Sequence, residues 1–200
     1  MRKRLLLLPC LLILSALALA ACGSSSDEEA DIEAAIETSA TTTVPADCKQ
    51  VNTQQFMEQV TRESGEAAVE ECEKEAENDE GSDSVSVSSV EIDGSSASAE
   101  AALSGGNLDG QTLEVVLIKD GDQWKMDEVV EFTDFDQAKL VAALEDQFAE
   151  SSEEVDPKLA ACFVEAFEQG SQEEVEELLF KGPVDALEEL FEACSSRGSA

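Results

Sequence analysis

The side chains of this sequence that could carry chemistry are its cysteines and its carboxylates. Among 200 residues there are six cysteines and 46 Asp and Glu, but no histidine and no tyrosine. Without histidine the chain lacks the commonest acid and base near neutral pH, and zinc sites that use histidine are excluded. Glycosidases use a pair of carboxylates, but with 46 available in this chain the presence of such pairs does not indicate that chemistry. We therefore expect no enzyme activity, no cofactor and no metal site.

The charge of the chain excludes one class of partner. Only 12 Lys and Arg oppose the 46 acidic residues, which gives a formal net charge of −34 at pH 7. Nucleic-acid binding needs clustered basic side chains that neutralise phosphates, so we expect no nucleic-acid partner.

Residues 1–21 have the layout of a signal peptide. Three cations at positions 2–4 precede an apolar stretch over residues 5–18. This stretch is shorter than the roughly 18 to 20 residues that a membrane-spanning helix needs. We therefore expect residues 1–21 to be cleaved rather than retained.

The end of this segment, Leu19-Ala20-Ala21-Cys22, resembles the lipobox of bacterial lipoproteins. In that family the cysteine thiol is diacylated and the chain is cut just before it. The resemblance implies that Cys22 is a lipid attachment site and that the protein is held at the extracytoplasmic face of a cell membrane, with the lipid bilayer as a partner. The alternative is an ordinary secretory signal whose cleavage site contains a cysteine. Residues 22–29, with one glycine and three serines, are then expected to form a flexible lipidated tether.

Four cysteines remain once the signal has left and the anchor cysteine is acylated: Cys48, Cys72, Cys162 and Cys194. Export places them where disulfides persist, and four cysteines allow three pairings. We favour Cys48–Cys72 and Cys162–Cys194, because each pair then lies within one of two folded segments, residues 30–150 and 151–200. The alternative, reactive or metal-binding thiols, lacks both a C-x-x-C spacing and a histidine.

Helical periodicity dominates the first part of residues 30–150. Apolar residues three and four apart predict a first helix over residues 30–38. A second helix is expected after Asn52, whose side chain can cap it, and a third from Gly65 to about Ala76.

After the third predicted helix, apolar residues recur at every second position, which predicts four antiparallel strands. A phase slip at Ser88-Ser89 indicates a β-bulge, and Asp93-Gly94 and Asp120-Gly121 are typical central pairs of tight hairpin turns. The strand over residues 112–119 is apolar on both faces and is expected to be central. Thr133 is expected to cap a closing helix. Helices followed by an antiparallel sheet make an α+β fold.

At this point residues 30–150 resemble the nuclear-transport-factor-2-like (NTF2-like, or cystatin-like) superfamily, particularly its short exported bacterial members. Three stretches carry the likeness: Ile32-Glu33-Ala34-Ala35-Ile36, Val90-Glu91-Ile92-Asp93-Gly94 and residues 117–126. The resemblance implies a curved four-stranded sheet packed on the N-terminal helices, often with a conical cavity that serves small ligands, dimer contacts or catalysis.

The candidate residues of that cavity or core are Leu117, Trp124 and Met126, and Val130 is expected to continue the fourth strand. Packing is the commoner role for side chains of this kind. Catalytic members of the superfamily line the cavity with acidic, His and Tyr side chains. Because this chain lacks the last two, no catalytic residue is carried over.

Residues 151–200 are expected to form a small C-terminal helical unit. Asp156 caps its first helix, Gly170 ends that helix, and a capping box of Ser171 and Glu174 opens the next. A last helix is expected to turn five apolar residues to one face: Val184, Leu187, Leu190, Phe191 and Cys194.

This unit needs a docking surface, because about 50 residues bury too little apolar area to be stable alone. The candidate surface is the second apolar face of the central strand, at Val116 and Ile118.

Three functional hypotheses follow. The favoured one is a membrane-anchored extracytoplasmic lipoprotein whose domain binds a small ligand or an envelope protein without catalysis. The second is a structural or interaction protein of the cell envelope with no ligand, and the third is an acid-only enzyme of the same fold. An open cavity beside Trp124 with convergent polar groups would favour the first over the second. A buried carboxylate with a raised pKa in that cavity would favour the third.

Overall fold

The computed structural model describes residues 24–78, 81–150, 156–183 and 185–198. The predicted signal peptide, the predicted lipid attachment site Cys22 and Val184 therefore lie outside the described residues. The fold is α+β, with N-terminal helices, then a four-stranded antiparallel sheet, then C-terminal helices.

Helix α1 spans Ser24–Thr41 and is longer than the predicted helix over residues 30–38. Ile32 and Ile36 are buried, as the periodicity predicts. Residues 24–29 are helical as well, so the flexible tether predicted there is wrong from residue 24 onward. The physical reason is an ion pair between Glu28 and Lys119 (Oε1 to Nζ, 2.5 Å), which holds the start of the helix against the sheet.

Three short helices follow: α2 (Asp47–Val51), α3 (Gln54–Thr61) and α4 (Glu66–Glu77). The predicted cap of α3 is off by one residue. Thr53 has an extended backbone and its hydroxyl accepts the N–H of Phe56, whereas the buried Asn52 accepts the hydroxyl of Ser39. The predicted disulfide Cys48–Cys72 is present and joins α2 to α4.

The sheet is a meander with strand order β1-β2-β3-β4. Its strands are β1 (Ser84–Asp93), β2 (Ser96–Ser104), β3 (Thr112–Asp120) and β4 (Gln123–Asp134). A single 3-10 turn, Gly106–Leu108, lies between β2 and β3. The predicted bulge is confirmed, because the pairing of β1 with β2 shifts between Ser88 and Glu91, and Ser89 has a φ of +54°. β3 lies between two strands, as predicted.

The two tight turns lie where they are expected, but their type differs from the predicted one. Asp93 and Asp120 end their strands, and the two-residue loops are Gly94-Ser95 and Gly121-Asp122. The glycines occupy the first central position with φ of +65° and +66°. Their partners in the loops have no positive φ. Positive φ at the first position alone is the type II′ pattern, whereas an Asp-Gly central pair predicts type I′.

Strand β4 changes its inward phase along its length. Trp124 and Met126 are buried as predicted, but the next buried residues are Val129 and Phe132, and Val130 is half-buried. The pairing of β4 with β3 shifts register more than once. Each irregularity breaks the alternation of period two, which the sequence pattern alone does not reveal.

The helix after the sheet starts later than predicted. α5 spans Gln137–Glu150, and Thr133 belongs to β4 and caps nothing. The carboxylate of Asp136 instead accepts the N–H of Lys139 at 3.1 Å. Gln111, which is fully buried, fixes this junction by accepting the N–H of Asp136 and donating to its carbonyl.

The C-terminal helices are α6 (Pro157–Gln169), α7 (Gln172–Glu176) and α8 (Ala186–Gly198), with a π-helical turn, Glu177–Lys181, continuing α7. The predicted cap at Asp156 and the capping box that Ser171 opens are confirmed. The predicted disulfide Cys162–Cys194 joins α6 to α8. Phe191, expected to face inward, is 50% exposed.

The C-terminal helices share one core with the sheet. Phe180 packs edge-on against Phe132 of β4, with ring centroids 5.3 Å apart, and Phe167 is buried in the same cluster. The docking surface predicted at Val116 and Ile118 is therefore wrong, because both residues lie on the opposite face, in the half-exposed phase of β3. The C-terminal helices cover the aromatic end of the inner face, where Phe132 would otherwise be exposed.

Candidate functional site

A cavity of about 350 Å³ lies at one end of the sheet, between its inner face, α1, α3 and the π-helical turn. Its volume is near the lower end of ordinary small-molecule pockets, which run from about 300 to 1,000 Å³. Most of its lining is apolar. Ile36 of α1, Phe56 of α3, and Leu179 and Phe180 of the π-helical turn form its helical walls.

The sheet forms one wall of the cavity, because every second side chain of β2 and β3 points to the inner face. Ala101 of β2 stands opposite Leu113 of β3, and both line the cavity. Ala101 is 2% exposed, and its methyl group leaves room that a larger side chain would fill. The space in this part of the core therefore depends on a small residue at position 101.

Among the described residues, four polar ones also line the cavity: Ser39, Glu75, Ser82 and Asn107. The Ser39 hydroxyl donates to Oδ1 of Asn52 at 2.7 Å, so its oxygen remains an acceptor. The Ser82 N–H donates to the carbonyl of Ala40 at 2.8 Å, which ties the loop before β1 to the end of α1. The cavity thus combines an apolar wall with a small polar group of residues.

Of the three predicted cavity or core residues, the structure places Met126 in the cavity lining. Leu117 and Trp124 are 0% and 3% exposed and belong to the surrounding core cluster. The cavity lies beside Met126 rather than Trp124. Lys119 lies over the indole ring, with Nζ 5.4 Å from its centroid. Within the described part of the chain, the buried Nε1 of Trp124 has no hydrogen-bond partner.

Sequence reasoning missed most of the cavity wall. Leu113 and Val115 are two apart in the apolar strand over residues 112–119, and this alternation is the signal that places both on one face of β3. The helical wall formed by Leu179 and Phe180 had no comparable signal, because a π-helical turn changes which side chains face the core.

One carboxylate is buried among the described residues, and it lies outside the cavity. Glu176 is 4% exposed and accepts hydrogen bonds from the Phe132 N–H (2.9 Å), Gln172 Nε2 (2.8 Å) and Lys181 Nζ (2.7 Å). Burial raises the pKa of Glu176, but these donors together outweigh burial and hold the pKa below its ordinary value of 4.5. The group is held ionised and fixes the edge of β4.

The described ranges contain no cluster of three or more His, Cys, Asp or Glu side chains placed to hold a metal ion. Within the same ranges, no helix has both the length and the apolar character needed to cross a bilayer. The arrangement of the cavity suits reversible binding of an apolar molecule, driven by burial of its surface. In comparisons with known proteins, no protein-family model, no curated protein and no solved structure matched this chain.

Proposed function

We propose that this protein is a lipoprotein held at the extracytoplasmic face of a membrane through acylated Cys22, and that its domain binds a small apolar ligand without catalysis. The observation that carries the binding function is the cavity of about 350 Å³ between the inner face of the sheet and α1, α3 and the π-helical turn.

Both disulfides support an extracytoplasmic address. Cys48–Cys72 and Cys162–Cys194 pair all four cysteines that follow the lipobox. Disulfides persist in oxidising compartments and are rare in the cytosol. Two acyl chains on one cysteine are what make a lipid anchor durable, since a single chain binds only reversibly.

The path of α1 supports a cavity that opens away from the membrane. Near its start, Glu28 pairs with Lys119 beside the β3–β4 turn, and near its end, Ala40 lines the cavity. Twelve residues of α-helix span about 18 Å. The start of α1 and the cavity therefore lie at opposite ends of this helix, and Cys22 precedes that start in the sequence. This arrangement supports access of the ligand to the cavity from the aqueous side.

We assign the domain to the NTF2-like class of folds as part of the same proposal. The support is architectural: a helix crosses the inner face of a four-stranded antiparallel meander, and a cavity lies between them.

Native mass spectrometry of the detergent-extracted protein tests the anchor, with globomycin, which blocks lipoprotein-specific signal cleavage, as the second arm. We expect a diacylated mature chain beginning at Cys22, and accumulation of the uncleaved precursor in globomycin. Cys22→Ala is the control and should lose the lipid mass. A protein that matures normally in globomycin and stays soluble would contradict the anchor.

Fluorescence of N-phenyl-1-naphthylamine, a neutral apolar probe, tests the cavity. We expect the probe to brighten on binding, and Ala101→Leu, which fills the cavity, to abolish the signal. The matched control is Ala102→Leu, the next residue of β2, which points to the other face of the sheet. Equal signals from the two variants would contradict ligand binding in this cavity.

A further inference from the structure

We infer that the free edge of strand β1 is a docking site for an extended, basic segment of a partner protein, which adds to the sheet as a further strand. No residue of β1 lines the cavity, so this interaction surface is separate from the proposed ligand site.

The two edges of the sheet differ in how they are covered. In the described part of the chain, β1 pairs with β2 alone, whereas backbone groups of β4 make hydrogen bonds with side chains of other elements. Along residues 84–88, exposed serines alternate with valines that are only half-buried. Alternate residues of an edge strand turn their N–H and C=O groups away from the sheet, where an added strand can pair with them.

The β-bulge sets the length of this docking site. Pairing of β1 with β2 is regular from Ser84 to Ser88 and shifts between Ser88 and Glu91. A bulge twists the strand and protects an edge from long, unspecific pairing. The regular part is residues 84–88, which carry no charged side chain. An added strand would continue both faces of the sheet, with its inner side chains beside the valines and its outer side chains beside the serines.

The charge around this edge favours a basic partner. Residues 75–118 contain ten Asp and Glu but no Lys or Arg. Within β1, the exposed carboxylates of Glu91 and Asp93 follow the regular part. A second copy of the chain would bring a further formal charge of −34 to this edge. Lysine or arginine side chains on an extended segment would instead be attracted to it.

Glu100 of β2 directs a carboxylate toward the edge strand. Its Oε2 accepts the Ser89 hydroxyl at 2.7 Å and the Ser88 hydroxyl at 3.4 Å. Two strand spacings amount to about 10 Å, which is the distance between an added strand and β2. A lysine or arginine on the outer face of the added strand can reach this carboxylate, because the serines between them are small. The partner segment therefore alternates apolar residues with basic ones.

Fluorescence anisotropy of two labelled peptides tests the inference on the detergent-extracted protein. The first peptide is Val-Lys-Val-Lys-Val-Lys-Val, and the second replaces each valine by proline. The second keeps the charge, but its prolines cannot donate to a strand ladder. We expect the first peptide to bind at least about tenfold more tightly, because main-chain hydrogen bonds supply affinity when a strand is added to a sheet edge.

Variants of the protein locate the docking site. Ser86→Lys places a like charge beside the lysines of the peptide and should weaken its binding by about two- to fivefold. Glu100→Gln removes an opposite charge and should also weaken binding. Thr133→Lys is the matched control, because it makes the same change of charge at an exposed position of β4 and should leave the affinity unchanged.

Three results would overturn the inference, and none of them affects the proposed ligand site. If the valine peptide does not bind, or binds no better than the proline peptide, backbone pairing plays no part. If Ser86→Lys and Thr133→Lys weaken binding equally, the peptide responds only to net charge. If native mass spectrometry shows a wild-type dimer that Ser86→Lys abolishes, the edge is occupied by a second copy of the chain.

Discussion

The side-chain amide of Gln59 makes both hydrogen bonds that a fifth strand would make to Val129 of β4. Its Oε1 accepts the Val129 N–H at 2.8 Å, and its Nε2 donates to the Val129 carbonyl at 2.8 Å. Two side chains make the corresponding hydrogen bonds to the backbone of Phe132: Glu176 accepts its N–H, and Gln172 donates to its carbonyl. Side chains thus close the outer edge of β4, where exposed backbone groups would otherwise template pairing with another chain.

Replacement of Gln59 by alanine should destabilise the fold. The change leaves the N–H and carbonyl of Val129, a residue 5% exposed, without partners. Unsatisfied buried groups cost about 1 to 3 kcal/mol, so urea unfolding should show a loss of that size. Gln55→Ala, on the exposed side of the same helix, should change stability by less than about 0.5 kcal/mol. Similar losses for the two variants would contradict the role of Gln59.

Glu176 should make the protein sensitive to acid. Its pKa in the folded state lies below the ordinary 4.5, because its three donors outweigh the opposing effect of burial. Its ionised form therefore stabilises the fold fully above about pH 4.5. That contribution is lost as the pH falls through the lowered pKa. Glu176→Gln should flatten this part of the stability curve, measured by urea unfolding between about pH 5 and 2. Glu168→Gln, at an exposed position of α6, should leave the curve unchanged.

The two disulfides should each contribute on the order of 3 to 4 kcal/mol, because they close loops of 24 and 32 residues in the unfolded chain. Paired serine substitutions, Cys48→Ser with Cys72→Ser and Cys162→Ser with Cys194→Ser, remove one bridge each. Thermal unfolding measures the loss. If wild type loses no stability on full reduction, verified by intact mass after alkylation, the bridges do not contribute as stated.

The C-terminal helices should depend on Phe180 and not on Val116. Phe180→Ala removes the ring that packs on Phe132, with an expected cost of about 3 to 5 kcal/mol. Limited proteolysis should then cut the C-terminal helices first. Val116→Asp changes the opposite face of the sheet and should leave the cleavage rate of those helices unchanged. Faster cleavage in Val116→Asp than in Phe180→Ala would restore the docking surface predicted from the sequence.

A row of like charges crosses the outer face of the sheet. Glu114 of β3 is paired in register with Glu100 of β2 and with Glu131 of β4. Glu114→Gln should therefore stabilise the protein at low salt by about 0.2 to 1 kcal/mol, since like charges directly opposite repel. The gain should shrink in about 1 M salt, where screening acts over about 3 Å. Glu91→Gln, which faces Ser98 across the strands, should show no such gain.

Local patterns predicted the elements of this fold better than their junctions. The sequence pattern was sufficient to predict the bulge at Ser88-Ser89 and the capping box at Ser171, because both depend on residues that are close in sequence. It was also sufficient for the two disulfides, because they were predicted from export to an oxidising compartment. The cap assigned to Thr133 was wrong because β4 continues through it, and strand length is set by pairing with β3, a contact between distant residues.

The cavity was harder to predict than the elements around it. Met126, Leu117 and Trp124 are all buried on the inner face of the sheet, but of the three only Met126 lines the cavity. Whether an inward-facing residue lines the cavity or the core depends on which side chains from other elements pack against it. Phe180, which closes the cavity, is far from Met126 in sequence. Its inward orientation depends on a π-helical turn, which the local sequence pattern does not predict.

The closure of the cavity by Leu179 and Phe180 has a consequence for the order of events in biosynthesis. The ribosome adds these two residues only after all four strands have been made. Until then the cavity lacks one of its walls. A truncated product that stops before α7 would therefore have an open cavity and should not retain the proposed ligand.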